Sequence, residues 1–224
     1  MNPHLDKLLE RRPELAPCRG EVARAFGMLR DCFQGGGKLL LCGNGGSAAD
    51  AEHWAGELLK GFGQKRPLNS AEKGRLSADL GLKLQGALPA IPLTGFVSLS
   101  TAFANDVDPH LAFAQLVWAL GKPGDVLVGI STSGNARNVC AAMEAARARS
   151  MCCLGLSGRT GGRLHPLCDL CIRVPATETY LIQELHLPIY HTLCFMLEDE
   201  CFGEGTSPQP GLSGGIDTVH VTRN

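Results

Sequence analysis

Two histidines, a glutamate and a glutamine in this chain have the types and spacing of an acid–base or metal-binding group. His53 and Glu57 are four residues apart in an alanine-rich segment, so a helix puts them on one face, a turn from each other. Gln183 and His191 are eight apart in a second helix-forming segment, roughly 80° from each other around its axis, so one cleft can see both. Glu184, seven before His191, lies closer still in angle. Imidazoles, a carboxylate and an amide suit ligation of a divalent metal, and they equally suit proton transfer by an acid–base pair. Spacing alone leaves both open. Pro188 lies inside the second segment and is expected to bend it.

Two loops supply what such a group would act on. The apolar run Leu39-Leu40-Leu41-Cys42 ends in Gly43-Asn44-Gly45-Gly46-Ser47, and the His53 segment follows at once. That order reads as a strand, a glycine turn and a helix N-terminus, where free N–H groups and the helix dipole favour a phosphate. The second loop follows the run Val126 to Ile130 with Ser131-Thr132-Ser133-Gly134-Asn135. Three hydroxyls at the end of a strand can donate several short hydrogen bonds to one phosphate. They can also cap the next helix, a common task for Ser, Thr and Asn. Gly43-x-Gly45-x-x-Ala48 satisfies the loose dinucleotide fingerprint, yet Thr94-Gly95 stands where that reading wants an acidic residue. No Lys-Ser/Thr follows the glycines, so the loop is not of the Walker type. A phosphate cradle beside an imidazole–carboxylate pair points to chemistry on a small phosphorylated substrate.

The elements that position these groups alternate along the chain. Apolar runs predict strands at 38–42, 89–94, 125–131, 151–156 and 170–174, and helical patterns fall at 47–61, 110–120, 135–149 and 179–200. Strand–helix alternation with apolar strands predicts an α/β fold whose parallel sheet is covered on both faces. Residues 1–36 read as an N-terminal helical segment, interrupted by Pro13 and Pro17 and closed by Gly35-Gly36-Gly37. Residues 37–202 form the main domain, with 64–88 as a polar inserted excursion that carries a short helix near 70–84. The glycine-, proline- and serine-rich stretch 203–224 reads as a tail, loosely ordered or packed on a neighbouring subunit.

Composition narrows the function classes. At 224 residues and net charge −1, with no basic run, the chain lacks a polyanion footprint, so no nucleic-acid partner is expected. No apolar stretch approaches spanning length and the start, Met1 to Arg12, is polar, so neither a membrane nor a signal peptide is expected and the reading is cytoplasmic. Of ten cysteines, Cys42, Cys140, Cys152, Cys153 and Cys194 sit in apolar runs and read as small core hydrophobes. Cys168 and Cys171 form a C-x-x-C that runs into strand-like Ile172-Arg173-Val174 rather than a helix, which favours packing over redox chemistry. Reduced thiols are the default without a secretory signal.

Taken in order, Cys42 to Ser47, His53 and Glu57, Asn105-Asp106, Gly129 to Asn135, and Gln183 with His191 resemble the bacterial phosphoheptose isomerases of the sugar-isomerase (SIS) superfamily. The similarity spans about residue 20 to residue 201. The resemblance implies a five-stranded parallel sheet flanked by helices, a flavodoxin-like sandwich, in a homotetramer with sites between subunits. It implies conversion of sedoheptulose 7-phosphate to D-glycero-D-manno-heptose 7-phosphate, towards bacterial surface heptose in lipopolysaccharide. Substrate binding then falls to Asn44, Gly45, Gly46, Ser47, Asn105, Asp106, Ser131, Thr132, Ser133 and Gln183. The same resemblance implies one zinc per subunit on His53, Glu57, Gln183 and His191, with Glu57 and His191 in the proton-transfer roles.

The chemistry suits these groups in its own right. A ketose becomes an aldose by losing a C1 proton, passing through a cis-enediol and regaining a proton at C2. A desolvated carboxylate such as Glu57 can serve as base, and His191 can shuttle the proton between oxygens or help a metal polarise the carbonyl. Three departures bear on which sugar is taken. Ala136 follows Asn135 where the family usually has serine, Ala48 stands where some members place histidine, and segment 64–88 is longer than the family norm. Regulatory members of the superfamily keep the fold and lose the acid–base residues, whereas all four are present here. A sugar-phosphate sensor would need room for a DNA-binding domain.

Overall fold

Alternation within the apolar strands decides the layers. In the computed structural model, which describes residues 2–203, Leu39 and Leu41 point into one core and Leu40 and Cys42 into another. The chain opens with α1 (Pro3–Arg11), a 3-10 turn over Pro13–Cys18 and α2 (Arg19–Gln34). It continues through β1 (Leu39–Cys42), α3 (Gly46–Leu59), the short helices α4 (Ser70–Lys73) and α5 (Ala78–Lys83), and β2 (Ala90–Pro92). Then come α6 (Val97–Asp106), α7 (Ala112–Leu120), β3 (Val126–Ser131), α8 (Arg137–Ala148), β4 (Cys152–Ser157), β5 (Leu170–Arg173) and α9 (Thr179–Phe202).

The sheet is five-stranded in the order β2-β1-β3-β4-β5, and every pairing is parallel. One core joins α1, α2, α3 and α9 to the sheet through Leu8, Leu29, Trp54, Val128, Leu156 and Leu193. The other joins α7 and α8 through Val117, Leu127, Val139, Met143 and Cys153. Both faces being covered, β3 is buried at all six positions, which is why its sequence reads as a continuous apolar run. The N-terminal helices belong to this core and form part of one layer. In a 2-1-3-4-5 order the chain winds in opposite directions from β1 and β3, so the crevice beyond their carboxyl ends is where ligands bind. Both candidate loops leave the sheet there.

Some local readings change. Cys152, expected in the core, is exposed at the first position of β4, although it shares the face of the buried Leu154 and Leu156. All ten cysteines are unpaired. Cys171 is buried and Cys168 half-buried, and both sulfurs lie beside Gly155, at 2.7 and 3.0 Å from where its Cβ would stand. The helix expected from 135 begins at Arg137, because Gly134 turns at φ +68°. The helix α6 has no counterpart in the periodicity, since none of its residues is buried. Segment 64–88 folds as α4 and α5, the first closed by an Asn69–Glu72 capping box, and Pro67 bridges Gln85 where the excursion returns. The tail expected over 203–224 lies, beyond Gly203, outside the described residues. Among the described residues, no helix is long and apolar enough to cross a membrane.

Candidate active site

The first loop needs its glycines. A Cβ on Gly43 would stand 2.5 Å from Ser47 O, and Gly45 adopts φ +54°, ψ −122°, a region open to glycine alone. No side chain caps α3; Ser47 N and Ala48 N are taken by the Asn44 and Gly45 carbonyls at 3.0 Å, which leaves Gly46 N as the first-turn donor for a ligand. Asn44, Gly45 and Gly46 are exposed here and Ser47 is buried. Asn44 and Asn138 exchange two amide hydrogen bonds, 2.9 and 2.8 Å, which tie this loop to α8 behind the second loop.

The second loop is also free of capping duty. The N-cap of α8 is Ala136, with no side-chain cap. Ser131 is buried, Thr132 half-buried and Ser133 exposed. Ser133 Oγ accepts from Asn135 N at 3.1 Å, and Thr132 O accepts from Gly158 N at 2.9 Å. The hydroxyl protons of Ser131, Thr132 and Ser133 therefore remain for a ligand, which favours the phosphate reading over the capping one.

The acid–base group forms between α3 and α9. The two helices lie side by side in the same direction, with Gln183 against Gly46 and Tyr190 and His191 against His53. The helix α9 continues through Pro188, whose ring removes the N–H that would have met the Glu184 carbonyl. His53 Nε2 is 3.1 Å from Glu57 Oε1, and Lys60 Nζ is 3.2 Å from Glu57 Oε2. The His191 ring stands nearly perpendicular to His53, centroids 5.0 Å apart, and packs on Phe62 at 5.1 Å. Its Nε2 is buried with no hydrogen-bond partner. Burial, then the neighbouring His53, pushes the His191 imidazole below its ordinary value, and Glu57 pulls the other way. On its far side His191 lines a cleft of about 280 Å³ between α1 and α9, shared with Lys7, Arg11 and Glu184.

His53, Glu57, Gln183 and His191 thus share the α3–α9 seam, which meets the first loop where Gln183 packs against Gly46. Asn105 and Asp106 do not join them. They lie exposed on α6, hydrogen-bonded to each other at 2.7 Å and not to the α3–α9 group. The donor types fit zinc, and His191 Nε2 is an orphaned ligand atom. As the side chains stand, though, the described residues contain no group of three His, Cys, Asp or Glu arranged to hold an ion. Sequence reasoning missed Tyr190, whose hydroxyl meets His53 Nδ1 from behind, Asp50, which accepts from that hydroxyl, and Asn138, which braces the first loop. Asp50 lies three residues before His53 and could have been seen on the same helix face.

Comparison with known proteins gives the same picture. SIS-domain family models match residues 9–79 and 98–197. A phosphoheptose isomerase of Rhodospirillum rubrum is 43% identical over 185 residues, covering 83% of this chain and 88% of its own. That of Desulfovibrio desulfuricans is 45% identical over 189 residues, 84% of this chain and 80% of its own. Among solved structures, the phosphoheptose isomerase of Neisseria gonorrhoeae matches with TM-score 0.69 and 35% identity, covering 87% of this chain and 95% of that one. The Francisella tularensis structure gives TM-score 0.69 and 32% identity, over 88% and 92%.

Proposed function

The chain belongs to the phosphoheptose isomerase family of SIS-domain enzymes, and from that premise we propose that it converts sedoheptulose 7-phosphate to D-glycero-D-manno-heptose 7-phosphate through an enediol. The observation that carries this reading is the seam between α3 and α9, where Glu57, His53 and an unpartnered His191 Nε2 meet, together with two loops that lead into helices with no side-chain cap.

The phosphate is the handle. Ser131, Thr132 and Ser133 hold it, with help from the amino end of α3, and its binding energy orients the sugar for the step that follows. Glu57 takes the C1 proton of the ketose and returns it to C2. His191, kept neutral by burial, donates to one enediol oxygen and accepts from the other, which neutralises charge as it develops. Gln183, against the amino end of α3, offers an amide to the sugar hydroxyls. His53, Glu57, Gln183 and His191 would be the residues to hold zinc, which when bound would polarise the substrate carbonyl. Metal analysis of protein purified without chelator tests that, with one zinc per subunit as the supporting result.

We extend the reading to assembly. The helix α6 has no buried residue, Phe96, Val97 and Val107 beside Asn105 and Asp106 are exposed, and this supports docking on a second subunit in a homotetramer. Asn105 and Asp106 would then serve a site completed by the neighbouring chain. The mass in solution, measured by light scattering, tests this. A cytoplasmic location goes with the same reading.

The direct test is incubation of the purified protein with sedoheptulose 7-phosphate while aldoheptose 7-phosphate is followed by NMR. Turnover is expected. No turnover, combined with turnover of another sugar phosphate in a panel, would replace the substrate and keep the mechanism.

A further inference from the structure

Tyr190 and Asp50 are side chains of this cluster that the reaction leaves without a task, and the tyrosine links the two sides. It sits in α9 next to His191, fully buried, its ring stacked on Trp54 at 5.5 Å and edge-on to His53 at 5.7 Å. Its hydroxyl reaches two groups. It donates to Asp50 Oδ1 at 3.2 Å and lies 3.0 Å from His53 Nδ1. A phenol has a single proton to give, and an ionised carboxylate has none. With that proton on the Asp50 side, the phenol oxygen can only accept from His53, so Nδ1 must carry a hydrogen. A neutral imidazole has one N–H. His53 Nε2, 3.1 Å from Glu57 Oε1, is then left as an acceptor.

We propose that Asp50 and Tyr190 are a positioning pair that fixes the His53 ring and its tautomer, with the hydrogen on Nδ1 and Nε2 presented to Glu57 as an acceptor. Two further observations support it. Asp50 Oδ2 is buried with no partner, so Tyr190 is the side chain that holds this carboxylate. The stack on Trp54 keeps the phenol from swinging elsewhere, whereas the His53 side chain is 46% exposed and without the pair would keep only its contacts with Glu57 and His191. The consequence lies at Glu57. Two acceptors 3.1 Å apart repel unless a proton or a cation is shared between them. The pair therefore turns His53 and Glu57 into a holder for a proton or a divalent cation, next to the carbon chemistry. Its effect on turnover rests on the isomerase reading, while the tautomer is a property of the resting protein.

The experiment uses full-length protein labelled with ¹⁵N-histidine, kept in chelator and without sugar. Two-dimensional ¹H–¹⁵N spectra report which ring nitrogen carries hydrogen, and His53→Gln assigns the signal. The expected wild-type form has hydrogen on Nδ1. Tyr190→Phe keeps the ring stack and removes both bonds, so His53 should move to the Nε2–H form. Its kcat for the sugar phosphate should fall about ten- to hundredfold with KM nearly unchanged, the range found when a group behind a site histidine is removed. Asp50→Asn can offer an N–H to the phenol, which turns the hydroxyl proton to His53 and shifts the tautomer the same way with every ring in place. Wild-type His53 with its hydrogen on Nε2 would overturn the proposal, as would a tautomer indifferent to both variants. A tautomer that follows Tyr190 in a protein that turns over no sugar phosphate would uphold the pair and defeat the isomerase reading.

Discussion

Two polar clusters join α9 to the region of α3, close together in space, and they are built on opposite terms. At the centre of the first, the Glu198 carboxylate and the Arg66 guanidinium are both satisfied. The carboxylate accepts from Phe62 N, Gly63 N, Gln64 N and Arg66 Nε at 2.7 to 3.1 Å. Arg66 also donates to the carbonyls of Leu58 and Glu57 at the end of α3. Both side chains are shut away from water, at 0% and 2% exposure. Around His53 the opposite holds. Asp50 Oδ2 and His191 Nε2 are buried without partners, His53 is open to solvent, and Glu57 faces an imidazole nitrogen. Full satisfaction makes the first cluster a clamp with nothing left to offer a substrate. Unspent donors and acceptors make the second a place for chemistry. The clamp serves the site, because the loop it holds places Phe62 against His191.

Breaking each cluster should therefore fail in a different way. In the reactive cluster, Glu57→Gln removes the base. The expected result is a kcat lower by about 10²–10⁴-fold, with sugar-phosphate binding retained in a calorimetric titration and an unchanged melting temperature. Full activity in this variant would remove Glu57 from the mechanism. In the clamp, Glu198→Ala leaves the Arg66 guanidinium buried and unpaired, which should cost about 3–5 kcal/mol of stability. A denaturant titration checks it through a lower midpoint at unchanged slope.

A third histidine sharpens the contrast. His186 is fully buried in α9 with neither ring nitrogen in a well-formed hydrogen bond, only the Ser157 backbone acting on it, so it is poorly satisfied and closed to solvent at once. Burial lowers it from 6.5 to about 4. The unfolded chain binds the proton more readily, so stability from this group is whole above pH 6.5 and drains away as pH falls towards 4. The loss is about 3 kcal/mol at most. His186→Leu should flatten that acid slope in melting curves taken between pH 7 and pH 4, and an unchanged slope would assign it to other groups. The smallest effect belongs to the loop. Ser133→Ala deletes one phosphate donor present in ground and transition states alike, so KM should rise about tenfold with kcat unchanged. An unchanged KM would move the phosphate elsewhere.

Much of this was legible in the residues. The apolar runs gave five strands within one or two positions of those observed, with the largest difference at β2. There Pro92 withholds a donor and the chain leaves the sheet after three residues. Both loops and the pairs His53/Glu57 and Gln183/His191 were visible because each is a local pattern. What stayed hidden depends on contacts far apart in sequence. Tyr190 meets Asp50 across 140 positions and Arg66 meets Glu198 across 132. No periodicity records such a pairing. The helix α6 was hidden for another reason. It buries nothing within this chain, so its apolar residues follow no inward stripe.

The central claim is that this seam moves a proton through an enediol, and the most direct measurement runs the isomerisation in D₂O. His53 is half open to solvent and Glu57 retains some exposure, so a proton held between them exchanges with water. The expected product is aldoheptose 7-phosphate carrying deuterium at C2, seen by NMR, with neither product nor exchange in Glu57→Gln. Turnover that leaves only protium at C2, in wild type and in Glu57→Gln alike, would contradict the account.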